Sequence, residues 1–201
     1  MQLRPYQAEC VQANLDWFDH SHGKDLLNVL PTAAGKTVCF ATMIQRCMAW
    51  AGTYILILAH RKELIAQAAK KLATVWPDAP IGIYSAGLGK REIAPVTIAS
   101  RDTIVNVIDH MPPFDLVFVD EAHNISLREE TRYQKIIFSL KKKNPNMHIV
   151  GWTATPYRLG QGLIYGDDQL FPALTYEAKI KQLITDGFLC QPVSRWVNPD
   201  S

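Results

Sequence analysis

Short apolar runs alternate with helix-period patterns along this chain. Leu26 to Leu30, Tyr54 to Ala59 (YILILA), Val96 to Ala99, Leu116 to Val119 and His148 to Trp152 have strand length and read as buried strands. Pro5 stands where a first helical residue would, and Tyr6, Cys10, Val11, Trp17 and Phe18 recur at helical spacing. Lys36 to Trp50 reads as a helix with Gly52 just past its end. The pattern from Lys62 to Trp76 is a second, which Pro77 stops. Ser126 and Glu129 have capping-box spacing and open a helix that ends near Asn144-Pro145. Thr175 to Asp186 reads as a last helix, with Gly187 as its C-cap. This alternation predicts an α/β fold, a mostly parallel sheet with helices on both faces. Ligands of such sheets sit beyond the carboxyl ends of the strands.

Composition narrows the picture without adding a function. At 201 residues, 48% hydrophobic and 20% charged, the chain has the content of one globular domain with a short appendage. A net charge of +2 is too small to argue for nucleic acid, so any polyanion site is a local patch. Cys10, Cys39, Cys47 and Cys190 form no CxxC pair, so no zinc site is expected. Cys39 and Cys47 fall in apolar helical patterns, as buried free thiols do, which fits a reducing, cytoplasmic setting. The opening MQLRPYQAEC lacks the apolar stretch of a signal peptide, and no run of membrane-spanning length occurs, so no membrane association is expected.

Three segments carry candidate chemistry, each at the end of an apolar run. The first is LPTAAGKT, Leu30 to Thr37. Between a strand and a helix, such a loop points backbone N–H groups and a helix N-terminus at anionic oxygens. Lys36 would reach the β- and γ-phosphates, and Thr37 would place its hydroxyl on Mg²⁺. A full Walker pattern has glycine where Leu30 stands. The second is LVFVDEAH, Leu116 to His123. A carboxylate at a buried strand's end is costly unless it serves a cation. Asp120 is placed to hold Mg²⁺, and Glu121 to orient and deprotonate an attacking water. His123, read alone, divides evenly between a functional and a packing histidine. The third is WTATP, Trp152 to Pro156, which alone reads as a Thr-rich strand exit closed by proline.

Together LRPYQ, PTAAGKT, DEAH and TATP resemble, in order and spacing, the Q-motif and motifs I, II and III of the first RecA-like domain of superfamily 2 (DEAD/DEAH-box) helicases. LILAHRKELIAQ is similar to motif Ia, and VTIASRDTI to motif Ib. A narrower likeness, to RadD-type bacterial or phage DNA-repair helicases, is carried by LAHRKELIAQ, SAGLGKR, YQKIIFSLKKKNPN, GWTATPYRLGQGLIYG and KIKQLITDGFLCQP. The resemblance implies a RecA-like P-loop domain over residues 1–188, with 189–201 an exit strand or linker toward a second RecA-like domain. It implies ATP and Mg²⁺ as cofactors. Arg4 and Gln7 would recognise adenine. Thr32, Ala33, Ala34, Gly35, Lys36 and Thr37 would wrap the phosphates. Thr37 and Asp120 would hold the metal. Lys36, Asp120, Glu121 and His123 would carry catalysis. Thr153 and Thr155 would couple the nucleotide site to motif III. His60, Arg61, Ser100, Arg101 and Thr103 would lie on the nucleic-acid track, contacting phosphates without reading sequence.

Two departures from that pattern bear on function. Motif I commonly has glycine where Ala33 stands, and a positive φ there would be strained. Motifs IV, V and VI are missing, and with them the arginine finger, so the expectation is weak turnover from this domain alone. The leading reading is an ATP hydrolase/helicase motor domain acting on single-stranded or branched DNA, in repair or recombination. The alternative is a low-turnover ATP- and DNA-binding module that acts through a partner. A P-loop kinase would leave TATP and the Q-motif unexplained. Lys141 to Lys143 read as a solvated helix end complementing the dipole.

Overall fold

The computed structural model describes residues 2–20, 25–50, 52–125, 131–160 and 162–191. In chain order the elements are α1 (Pro5–His20), β1 (Leu26–Val29), α2 (Lys36–Cys47), β2 (Ile55–Ala59), α3 (Lys62–Val75), β3 (Ile81–Ser85), β4 (Lys90–Arg91), β5 (Val96–Ser100), α4 (Arg101–Ile104), β6 (Leu116–Asp120), α5 (Arg132–Lys143), β7 (His148–Thr153), β8 (Tyr157–Arg158), β9 (Gly162–Leu163), β10 (Tyr176–Glu177) and α6 (Ile180–Thr185). Eight strands form one sheet in the order β10-β1-β7-β6-β2-β5-β3-β4, parallel throughout except for the β3–β4 pair. This is the expected mostly parallel α/β sheet.

Strand alternation divides the core in two. On β2, Ile55, Ile57 and Ala59 face a layer made by α1, α2, α3 and α6, whose buried residues include Cys10, Ile44, Leu72 and Leu183. Leu56 and Leu58 face the opposite layer, where α4 and α5 contribute Ile104, Tyr133, Ile136 and Leu140. A strand covered on both faces must be apolar at every position, which is why YILILA reads as a run rather than an alternation. The parallel register puts the ends of β1, β6 and β7 side by side, and the ends of β2, β5 and β3 beside them.

Several expected boundaries move. Helix α2 stops at Cys47, and Trp50 lies in the turn after it. Thr175 to Asp186 is not one helix. Tyr176 and Glu177 instead pair with Asn28 and Val29 as edge strand β10, and only Ile180–Thr185 is helical. Thr175 N–H donates to Leu27 O at 2.8 Å and Ala178 N–H to Val29 O at 2.9 Å. The fully buried β1 would otherwise leave those carbonyls without donors, and that requirement overrides local helix propensity. Gly187 follows α6 with φ 74°, as a left-handed cap should. The Ser126–Glu129 pair lies outside the described residues. Helix α5 is opened by another capping box, in which Thr131 Oγ1 accepts from Gln134 N and Gln134 Oε1 from Thr131 N, both at 3.2 Å.

The lysines ending α5 are not a merely solvated end. Lys141 reaches the buried Asp25 carboxylate at 2.9 Å, and Lys143 donates to the carbonyls of Ile108, Asp109 and Met111. No helix among the described residues is long and apolar enough to cross a membrane, and no cluster of three or more His, Cys, Asp or Glu is placed to hold a metal ion. Cys10, Cys39 and Cys47 are buried free thiols, and Cys190 is exposed.

Candidate functional site

The loop between β1 and α2 is held in place by α1. Ala34 is buried, and its carbonyl accepts from Tyr6 Oη at 2.7 Å and Gln7 Nε2 at 3.2 Å. Gln7 Oε1 in turn accepts from Arg4 N at 3.0 Å. The buried Gln7 amide therefore fastens the loop with one N–H while its oxygen is held by Arg4 N at the start of α1. The Arg4 guanidinium lies 5.3 Å from the Phe188 ring centroid and donates to Tyr6 Oη at 3.3 Å. Two loop residues turn left-handed, Ala33 at φ 67° and Gly35 at φ 78°. Gly35 caps α2, a Cβ on it would meet Gln7 Nε2 at 2.4 Å, and Thr32 and Ala33 are exposed at the loop's crest.

Lys36, the first residue of α2, turns toward β6. Its ammonium lies 3.3 Å from Asp120 Oδ1 and 3.1 Å from Glu121 Oε1. Glu121 has φ 55° and ψ 52°, a conformation that a non-glycine residue adopts only where its surroundings enforce it. Asp120 Oδ1 accepts from Glu121 N at 3.0 Å and so helps to enforce the turn. The two carboxylates are gathered around one cation and are oxygen ligands of the kind a hard divalent ion takes, and Thr37 follows Lys36 on the first turn of α2. The donor set fits Mg²⁺.

His123 joins this group to the end of β7. Its Nδ1 is 2.9 Å from Thr153 Oγ1, 3.3 Å from Glu121 Oε2 and 3.5 Å from Thr155 Oγ1. Thr153 Oγ1 donates to Thr155 O at 2.9 Å, which uses its only proton. Nδ1 must therefore carry the hydrogen and donate to Thr153. Burial lowers the His123 pKa. Glu121 and Asp120 oppose that shift, while Lys36 and Arg158 reinforce it. The lowered pKa favours the neutral ring, so the 3.3 Å contact with Glu121 is a close approach rather than an ion pair. Arg158, on β8, donates through Nε to the His123 carbonyl. Sequence reading had no signal for this contact, because it depends on how the strand after TATP folds back.

The candidate nucleic-acid residues form a separate rim. His60 and Arg61 follow β2, while Ser100 ends β5 and caps α4, which carries Arg101 and Thr103. Thr103 Oγ1 accepts from Ala86 N at 3.1 Å, and the Lys62 side chain packs beside Gly87. A third segment, residues 86–91, therefore joins motifs Ia and Ib and presents the exposed Lys90 and Arg91. In the sequence this stretch carried only family likeness. His60 Nδ1 is buried with no hydrogen-bond partner among the described residues.

Comparison with known proteins agrees with this layout. The family model described as Type III restriction enzyme, res subunit, matches residues 1–158. The putative mitochondrial ATP-dependent helicase irc3 of Schizosaccharomyces pombe is 32% identical across 96% of the chain, which covers 32% of that protein. The chain spans about a quarter to a third of the length of the curated relatives it matches. Among solved structures, the UvsW helicase from bacteriophage T4 aligns with TM-score 0.60 and 22% identity over 78% of this chain and 54% of its own. The Type ISP restriction-modification enzyme LlaGI aligns with TM-score 0.67 and 15% identity over 94% of this chain and 21% of its own. At these identities the structural matches speak to the fold alone. The chain belongs to the Type III restriction enzyme, res subunit family, and is a first RecA-like, ATP-binding domain of the superfamily 2 helicase type.

Proposed function

We propose that this domain binds ATP with Mg²⁺ and, within a complete motor, drives helicase or translocase movement along DNA without reading sequence. The observation that carries the reading is the Lys36 bridge to Asp120 and Glu121 at the mouth of the left-handed loop. When phosphate arrives, Lys36 transfers to its oxygens and frees the two carboxylates. Thr37 and Asp120 would hold Mg²⁺, which would supply positive charge against the phosphoryl group. Glu121 orients the attacking water and takes its proton. Residues 32–37 wrap the phosphates. His123, with Thr153 and Thr155, transmits the state of that site to the end of β7. Gln7 has one N–H left for adenine, beside Arg4, and the reading expects ATP to bind more tightly than GTP. His60, Arg61, Ser100, Arg101 and Thr103, joined by Lys90 and Arg91, bear on backbone phosphates.

The reading places residues 1–188 in this domain and assigns the later residues to the passage toward a second RecA-like domain. Residues 188–191 are not strand, and those from 192 lie outside the described residues. It keeps a RadD-like role in bacterial or phage DNA repair, in the cytoplasm, as its most specific form. An arginine finger from the second lobe contributes roughly 10³ to 10⁵ in rate at related sites. The isolated domain is therefore expected to bind ATP and hydrolyse it slowly, with little stimulation by DNA. The test measures ATPase rate with and without single-stranded DNA, on this chain and on a longer protein that includes the second lobe. Stimulated turnover in the longer protein, abolished there by Glu121→Gln with ATP still bound, supports the reading. Vigorous stimulated hydrolysis by the present chain as a monomer overturns the arginine argument. Unstimulated slow turnover in both proteins favours a binding module that acts through a partner.

A further inference from the structure

Tyr133, on α5, is 1% exposed, and its hydroxyl has no hydrogen-bond partner among the described residues. The ring belongs to the same core layer as Val119, Ala122 and Ile125. Arg101 of motif Ib lies against it, with its guanidinium carbon 5.2 Å from the ring centroid. Arg101 Nε also binds Asp102 Oδ1 at 2.9 Å, and Arg132, the neighbour of Tyr133 on α5, reaches the same oxygen at 2.6 Å. These two arginines hold the Asp102 carboxyl below its ordinary range although burial opposes them. The Tyr133 phenol is pushed up to about 12, first by burial, with Arg101 opposing and the charges of Asp120, Asp102 and Glu121 adding to it. The ring thus carries the motif Ib guanidinium on its face and shares its core layer with Val119 and Ala122, the residues that flank Asp120 and Glu121 in the chain.

A buried hydroxyl without a partner destabilises the fold, and phenylalanine would fill nearly the same volume without that penalty. The hydroxyl therefore adds no hydrogen bond to this state and is free to donate in another. Arg101 supplies the switch between states. A backbone phosphate competes for the same planar donors that now hold Asp102, and a phosphate that draws the guanidinium off Asp102 shifts its position over the ring.

We propose that Tyr133 is a positioning residue that couples the nucleic-acid rim to the nucleotide site. When a phosphate draws Arg101 away, the phenol turns, and its hydroxyl donates to the Asp120–Glu121 turn, holding the carboxylates as bound nucleotide requires. By linkage, nucleotide and nucleic acid then tighten each other by one common factor. This inference rests on the proposed reading of Arg101 as a phosphate contact.

The test is a set of binding titrations with a fluorescent oligothymidylate and a non-hydrolysable ATP analogue with Mg²⁺, each alone and in the presence of the other. In the parent chain each ligand is expected to tighten the other by about five-fold or more. Tyr133→Phe keeps the ring, so each ligand alone should bind as it does to the parent and the melting temperature should hold or rise. The mutual tightening should fall below about two-fold. Arg101→Lys, which keeps the charge but not the planar stack, should weaken oligonucleotide binding and the coupling together. Full coupling in Tyr133→Phe, or a lowered melting temperature from a lost hydrogen bond, overturns the inference. Two ligands that bind the parent independently overturn it while leaving the nucleotide site intact. A parent chain that binds neither ligand overturns the functional reading beneath it.

Discussion

Gly35→Ala tests whether α1 holds the phosphate loop in the way the geometry shows. The substitution acts twice. The added Cβ must adopt φ 78°, where a left-handed residue other than glycine costs roughly 1 to 2 kcal/mol. It must also displace Gln7 Nε2, which would lie 2.4 Å away. Nε2 is the end of a flexible side chain, so the amide can move, but it then surrenders its bonds to Ala34 O and Arg4 N. Each such bond contributes about 1 kcal/mol. The total is roughly 3 to 4 kcal/mol, and at about 2 to 4 °C per kcal/mol for a domain of this size the melting temperature should fall by about 6 to 16 °C. In a Gln7→Ala background the displaced amide is gone and only backbone strain remains, so the same change should cost roughly 1 to 2 kcal/mol. The assay is urea and thermal denaturation of the four proteins of the cycle. Equal losses in both backgrounds would refute the claim that Gln7 is seated on the loop. A loss under about 0.5 kcal/mol in the parent would refute the strain argument as well.

Lys36→Ala should abolish most of the melting-temperature rise produced by MgATP, which for the parent at a hundred-fold excess over Kd corresponds to about 2.7 kcal/mol. An undiminished rise would sink the phosphate-loop assignment. Ala33 has φ 67°, so Ala33→Gly relieves strain in the loop and should tighten MgATP binding by up to about five-fold in a calorimetric titration. Weaker binding would show that the bound loop does not use that conformation. The folded-state pKa of His123 is lowered, so below about pH 6.5 the unfolded chain binds the proton more readily. Stability from the neutral ring is therefore complete above that pH and is lost as pH falls through the folded value. His123→Gln should flatten the loss of melting temperature between about pH 7 and pH 5, and an unchanged slope would contradict the assignment.

Much of the site was legible because its segments are local. An apolar run that ends in PTAAGKT, DEAH or TATP states the strand and marks polar residues at its carboxyl end, and the fold gathers Lys36, Asp120, Glu121, His123, Thr153 and Thr155 into one group of ion pairs and hydrogen bonds. The parallel sheet was legible for the same reason, since burial on both faces leaves continuous apolar runs. Tertiary structure decided what depends on neighbours distant in sequence. Lys36 and Glu121 stand 85 positions apart, and only the register of β1, β7 and β6 puts them 3.1 Å from each other. Helical spacing at Thr175–Glu177 yielded to the open edge of β1, a partner 148 positions away. The engagement of Gln7 with Ala34 and the stacking of Arg101 on Tyr133 were equally hidden. A sequence pattern records which face of its own element a residue occupies. Strand order and helix packing determine which backbone carbonyl, ring or carboxylate that face meets.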